Sequence, residues 1–130
     1  MYLLDTNIVA FYFRGNKNVT DRIKLIGLKN CFISEITIAE LKYGANKSAK
    51  FEYHNKLIED FTEDINVIPI TNILNLYASE KVRLEKIGTR IDDFDLLIGA
   101  TAISNELILV TNNIKHLQRM SIVNIEDWTI

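Results

Sequence analysis

Short apolar runs alternate with longer segments of helical period along this chain, and that alternation constrains its fold more than any other feature. Tyr2-Leu3-Leu4, Cys31-Phe32-Ile33, Asn66-Val67-Ile68 and Leu107-Ile108-Leu109-Val110 read as strands, with Ile122-Val123-Asn124-Ile125 as a less apolar fifth. The segments between them are long enough to return each strand in the same direction. The pattern therefore predicts an α/β fold, with a central parallel sheet flanked by helices, and not an all-α bundle.

The intervening segments carry their own faces. From Val19 to Lys29, the residues Val19, Ile23, Ile26 and Leu25 are expected on one side of a helix, and Ile36, Ala39, Leu41 and Tyr43 belong to a second, half-buried one. Phe51 to Phe61 has one packed stripe among many charges. Ile73 to Ile87 repeats that pattern, with Gly88 as its stop. Phe94 to Ile103 is apolar almost all round, which is expected of a helix buried on several sides. The single proline, Pro69, marks the end of the third strand.

With 130 residues, 48% of them hydrophobic, the expectation is one domain spanning 1–130 around one core. No apolar run approaches the length of a bilayer span, and the start Met1-Tyr2-Leu3-Leu4-Asp5 lacks the pattern of a signal peptide, so a soluble, cytoplasmic protein without a membrane partner is expected. Cys31 is the only cysteine and reads as a buried core thiol. A formal net charge of -2 argues against a protein held to nucleic acid by an overall basic field.

Three carboxylates follow this framework closely. Asp5 directly succeeds the first strand, Glu40 lies about a turn and a half into the helix after the second, and Asp95 opens the apolar helix. Thr111-Asn112-Asn113 follows the fourth strand, so Asp5 and Asn113 are expected at the carboxyl edge of a parallel sheet, where open α/β folds bind ligands. Converging carboxylates repel one another, and a cation is their natural counterweight. Oxygen ligands without His or Cys select a hard ion: Mg²⁺ fits best and Mn²⁺ can substitute. The pattern points to a divalent-metal site that cuts a phosphodiester.

Each acid also has a purely structural explanation. Asp5 can cap the helix starting near Asn7, Thr37-Ile38-Ala39-Glu40 fits a capping box, and Asp92-Asp93-Phe94-Asp95 supplies a cap and favourable first-turn charges. His54 and His116 have no zinc-site spacing and read as solvated.

The segments Tyr2-Leu3-Leu4-Asp5-Thr6-Asn7, Ile38-Ala39-Glu40-Leu41-Lys42-Tyr43-Gly44, Asp93-Phe94-Asp95-Leu96-Leu97-Ile98-Gly99-Ala100 and Leu109-Val110-Thr111-Asn112-Asn113 together resemble the PIN-domain ribonucleases, specifically the VapC toxins of VapBC toxin-antitoxin modules. The closing Asn124-Ile125-Glu126-Asp127-Trp128 resembles their usual ending, and the likeness runs over essentially the whole chain. It implies a PIN-like fold with a four- or five-stranded parallel sheet, a Mg²⁺-dependent endoribonuclease that arrests translation and growth, transfer RNA as the substrate class, a homodimer or larger assembly, and a VapB-like antitoxin that occludes the site. The family's three principal acids fall on Asp5, Glu40 and Asp95. Its fourth position, often Asp, falls on Asn113.

On this resemblance Asp5 and Asp95 are the main metal ligands, while Glu40 binds a second ion or orients the attacking water. Thr6, Asn7, Thr111 and Asn113 can bond waters or phosphate, or serve only as turns and caps. Arg14 and Lys42 near the acids, and Lys81, Arg83, Lys86 and Arg90 leading into Asp95, are candidates for RNA phosphates. A housekeeping PIN nuclease without an antitoxin and a non-enzymatic interaction module are the alternatives. A dehalogenase-type phosphatase would need a second Asp where Asn7 stands, and a receiver domain an acid near Val67-Ile68-Pro69-Ile70.

Overall fold

The computed structural model describes residues 1–122 and 124–130. Five strands, β1 (Tyr2–Leu4), β2 (Cys31–Ser34), β3 (Asn66–Ile68), β4 (Ile108–Val110) and β5 (Ile125–Glu126), pair in parallel in the order β3-β2-β1-β4-β5. The connections carry helices: α1 (Thr6–Phe13) and α2 (Lys17–Ile26) lead to β2, α3 (Glu35–Lys47) and α4 (Phe51–Asp64) to β3, α5 (Leu74–Lys86) and α6 (Asp93–Ser104) to β4, and α7 (Ile114–Leu117) follows β4. The parallel α/β architecture expected from the sequence is the one observed.

Alternation along such short strands sends successive side chains to opposite faces, and both faces are covered. Leu4, Cys31, Ile33 and Val110 face a cluster with Ile8, Val9, Val19, Ile23, Phe61 and Trp128. Leu3 and Leu109 face the other, with Leu84, Leu96, Ile98, Leu117 and Met120. Cys31 is fully buried, and desolvation pushes its thiol up to about 11, so it is inert at neutral pH. Trp128 is buried against Tyr2 at a ring separation of 5.2 Å and donates its indole N–H to Glu126 at 2.9 Å. Those contacts dock the chain's final turn onto the first strand.

Several boundaries differ from the sequence reading, each for a local reason. Helix α2 stops at Ile26, short of Lys29, because Gly27 adopts a φ of 89°. Leu25 is 82% exposed: two residues from Ile23 is a rotation of about 200°, so it points away from the buried face. Strand β4 starts at Ile108, since the Leu107 N–H turns back to the Ala102 carbonyl at 3.0 Å to close α6, with Glu106 at a φ of 54°. Of the expected segment Ile122 to Ile125, Val123 lies outside the described residues, and pairing is seen at Ile125 and Glu126.

The chain moves outward through β1, β2 and β3, then crosses back to place β4 on the other side of β1. Strand order therefore reverses at β1, and loops at the carboxyl ends of β1 and β4 diverge to opposite faces, leaving a crevice. Asp5 sits there. On the route to it, α5 ends in a paired cap: the Gly88 N–H bonds to the Glu85 carbonyl at 3.1 Å and Thr89 N–H to Leu84 at 3.0 Å, with Gly88 at a φ of 76°. A Cβ at Gly88 would meet nothing within 4 Å, so any cost of adding one is conformational. Gly88→Ala should lower the unfolding free energy by about 1 kcal/mol in urea denaturation, with an unchanged slope. An unaltered midpoint would show that the cap does not hold this turn.

Candidate active site

Asp5 extends the ladder one residue past β1, its N–H bonding to the Val110 carbonyl at 2.9 Å. It is also the N-cap of α1, so its backbone faces the sheet while its side chain meets the first turn. One carboxylate oxygen accepts from the Thr6 N–H at 2.8 Å and the other from the buried Thr111 hydroxyl at 2.8 Å. Thr111 Oγ1 in turn accepts from the Asn113 N–H at 2.9 Å, which commits the hydroxyl proton to Asp5. Only 4% of Asp5 is exposed, and desolvation raises its pKa despite both donors.

Glu40 reaches the same corner from α3, whose start is capped by Ser34 Oγ accepting from Ile36 N–H at 3.0 Å. Its Oε1 accepts from the Thr6 hydroxyl at 2.6 Å. Because Thr6 has one hydroxyl proton, the contact of 3.1 Å between Thr6 and Thr37 must run from the fully buried Thr37 hydroxyl to Thr6 when Glu40 is ionised. Burial raises the Glu40 pKa, and the charges of Asp5 and Asp92 raise it further against the opposing Thr6 bond.

Asp95 enters from the first turn of α6, which packs on α3. No hydrogen bond or ion pair among the described residues engages its carboxylate. Burial first, then Asp5, Asp92 and Glu40, push its pKa up to about 6. These mutual effects place four acids in one field. Asp92, read from sequence as a helix cap, does cap α6 through the Phe94 N–H at 3.2 Å and also adds charge to the cluster. Its double role was invisible to spacing alone, as was the Thr37 hydroxyl behind Thr6.

The remaining candidates divide. Thr6 and Thr111 are bonded to site acids, whereas Asn7 is exposed, and the Asn113 side chain is taken by His116 Nδ1 at 2.7 Å. Arg14 lies over the Phe11 ring, 5.8 Å from its centroid, and Lys42 bonds to Asn55 and Glu59 on α4. Lys81 pairs with Asp93 at 2.8 Å, and Arg83 is engaged by the buried Glu80 at 2.7 Å and by the Arg119 carbonyl at 2.9 Å. Lys86 is exposed, and among the described residues the one ion pair of Arg90 is with Glu85, at 4.0 Å. Of the helix cluster, Lys86 and Arg90 therefore keep the freest cationic groups.

The donor set fits a hard divalent ion: carboxylate oxygens, partly desolvated, with no Lys or Arg paired to Asp5, Glu40 or Asp95 among the described residues. Among the same residues no three acidic, His or Cys side chains are spaced to enclose a metal directly.

A parallel sheet with acids gathered where its strand order reverses places the chain among open α/β proteins whose site lies at the carboxyl edge of the strands, and comparison with known proteins narrows it. The PIN domain family profile matches residues 2–122. Ribonuclease VapC2 of Rickettsia felis is 34% identical over 131 residues, covering 98% of each chain. The tRNA(fMet)-specific endonuclease VapC of Salmonella typhimurium is 31% identical over 129 residues, covering 98% of this chain and 97% of that one. The crystal structure of Rickettsia felis VapBC2 bound to a promoter DNA fragment contains a chain that superposes with a TM-score of 0.88 at 31% identity, with 98% of both chains covered. The chain belongs to the PIN-domain family, among its VapC ribonucleases. Nucleases of this family are generally dependent on divalent metal.

The cluster has a consequence for stability in the absence of metal. Folded Asp95 binds its proton more tightly than the unfolded group, about 6 against 3.8, so stability is lost as pH rises between those values and stays lost above them. In chelator, Asp95→Asn should raise the melting temperature by a few degrees at pH 7.5, and the gain should shrink to nothing below about pH 4. A variant that melts lower than wild type at pH 7.5 would contradict the repulsive cluster.

Proposed function

We propose that this chain is the toxin of a toxin-antitoxin pair, an endoribonuclease that uses Mg²⁺, with Mn²⁺ as a substitute, to hydrolyse phosphodiester bonds of transfer RNA. The observation that carries the site assignment is the convergence of Asp5, Glu40 and Asp95 without a neutralising cation among the described residues. Asp5 and Asp95 would hold the ion, directly or through water. When bound, it neutralises charge developing on the phosphate and acidifies water.

The side chains have separable roles in this reading. Thr6 N–H and the Thr111 hydroxyl fix the Asp5 carboxylate in one orientation. Asp95, free of protein donors among the described residues, presents both oxygens to an ion or its waters. Glu40 has Oε1 occupied by Thr6, so Oε2 remains to orient the attacking water and accept its proton, a task that its raised pKa suits. The water enters in line with the bond that breaks. Transfer RNA is supported by the tRNA(fMet) specificity of the Salmonella relative, and a VapB-like antitoxin by the VapBC assembly of the Rickettsia structure. Tyr43 and Tyr53, 67% and 65% exposed, offer apolar area to such a partner or to a second copy in a homodimer. An antitoxin arginine placed among the acids would pair bidentately with carboxylate and compete with metal.

Asp5→Asn, Glu40→Gln and Asp95→Asn should each reduce RNA cleavage in Mg²⁺ by about 100-fold or more without loss of fold. Expression of the wild type alone should arrest growth, Asp95→Asn should not, and co-expression of the partner should restore it. Wild-type cleavage by any two of the three variants would remove the assignment, and harmless expression of an active wild type would remove the toxin role.

A further inference from the structure

The pattern Thr37-Ile38-Ala39-Glu40 has the form of a capping box, yet it caps nothing: α3 begins at Glu35, with Ser34 as its N-cap. Thr37 and Glu40 lie instead about one turn apart on the same side of α3, and Thr6, the first residue of α1, bridges them. The Thr6 hydroxyl donates to Glu40 Oε1 at 2.6 Å and, with Glu40 ionised, accepts from Thr37 at 3.1 Å. Its N–H donates to Asp5 at 2.8 Å. One residue thus holds two of the site's acids, Asp5 through its backbone and Glu40 through its side chain.

Glu40 depends on that hold. Thr6 is the one hydrogen-bond partner of its carboxylate among the described residues, and no ion pair there engages it. The Thr6 hydroxyl is in turn steadied by Thr37, which is fully buried. A valine would fill the Thr37 position with nearly the same shape and no polar group to satisfy, so a hydroxyl there needs a reason. Thr62 and Thr101 return their hydroxyls to the carbonyl four residues back in their own helices, at 2.7 and 2.8 Å. Thr37 sends its own across to α1, where Thr6 is its one partner among the described residues.

We propose that Thr37 is a positioning residue of the reaction: its buried hydroxyl locks that of Thr6, which fixes the Glu40 carboxylate with Oε1 occupied and Oε2 left for the attacking water. The inference rests on the ribonuclease reading and adds to it a residue that touches neither ion nor RNA. The direction of the bonds matters. Thr6 has one hydroxyl proton, so a donor behind it leaves that proton for Glu40, whereas an acceptor there would draw it away. Misplacing a base impairs proton transfer, while RNA binding draws on other groups. Loss of the Thr37 hydroxyl should therefore slow turnover and leave KM in place.

Thr37→Val removes the hydroxyl and keeps the shape, and Thr37→Ser keeps the hydroxyl. With one transfer RNA transcript as the probe, in Mg²⁺, Thr37→Val should lower kcat by about tenfold with KM within about twofold, and Thr37→Ser should stay within about threefold of wild type in both. In a Glu40→Gln background, which has no base to position, Thr37→Val should alter kcat by less than about twofold. A bond that only ties α1 to α3 would instead cost the same in both backgrounds. Equal losses there, a loss carried by KM, or a Thr37→Ser as slow as Thr37→Val would overturn the proposal. Should Thr37→Val not fold, Thr37→Ala carries the same comparison. A metal-free measurement tests the lock itself. In chelator, the three-bond coupling between the Thr6 nitrogen and its methyl carbon should report one rotamer in wild type and Thr37→Ser, and an average of rotamers in Thr37→Val. An unchanged coupling in Thr37→Val also overturns the proposal. Absence of any cleavage by wild type would sink the ribonuclease reading, and the coupling would still decide whether Thr37 locks Thr6.

Discussion

A carboxylate taken out of water where the strand order reverses is the constraint around which this molecule is arranged. Asp5 follows β1, the central strand, so its position depends on pairing to β2 on one side and β4 on the other. Its two oxygens are satisfied by neutral donors, from the first residue of α1 and from the Thr111 hydroxyl after β4. Two neutral hydrogen bonds do not offset the desolvation of a full charge, and its pKa stays raised. The side chain is well oriented, and no cationic side chain among the described residues offsets its charge.

Like charge adds to burial at the neighbouring acids, with Asp5 and Asp92 raising the pKa of both Glu40 and Asp95. Glu40 arrives on α3 and both Asp92 and Asp95 at the start of α6, and their repulsion opposes the packing of α6 on α3 that brings them together. The packing prevails because α6 is buried through Leu96, Ile98, Gly99, Ala100, Thr101 and Ala102, a larger favourable term than a partly solvated repulsion. Gly99 takes part in this: a Cβ there would lie 2.3 Å from Met120 Sδ, so the helix approaches the segment after α7 as closely as its backbone permits. Stability held by the core is what allows an acidic cluster to persist at this edge of the sheet.

The crossover that carries Asp92 and Asp95 leaves a cavity of about 350 Å³ beside them. Its wall is the turn between α5 and α6, and its charged rim combines the end of one helix with the start of the next.

The strands and most helices were legible in the sequence because burial on both faces of a parallel sheet demands apolar runs, and half-buried helices demand a stripe. Asp5, Glu40 and Asp95 could be singled out because they follow apolar segments whose order brings them toward one edge of a parallel sheet, although each taken alone also fits a cap, a capping box or a first-turn charge. Leu25 was misplaced where a neighbouring apolar residue fell on the opposite side of its helix. The pairing of side chains across elements was not legible. Arg83 turned to a buried Glu80, Lys42 to α4 and Asn113 to His116, while Glu85 and Arg90 were left with each other at 4.0 Å. Sequence by itself determined the elements, their order and the acids they carry, since periodicity and residue type report local faces. Only the tertiary structure decided that Asp92 joins the cluster, that Thr37 and Thr6 back Glu40, and which cations stay available, because charge and hydrogen bonding act through distances that the crossovers alone set.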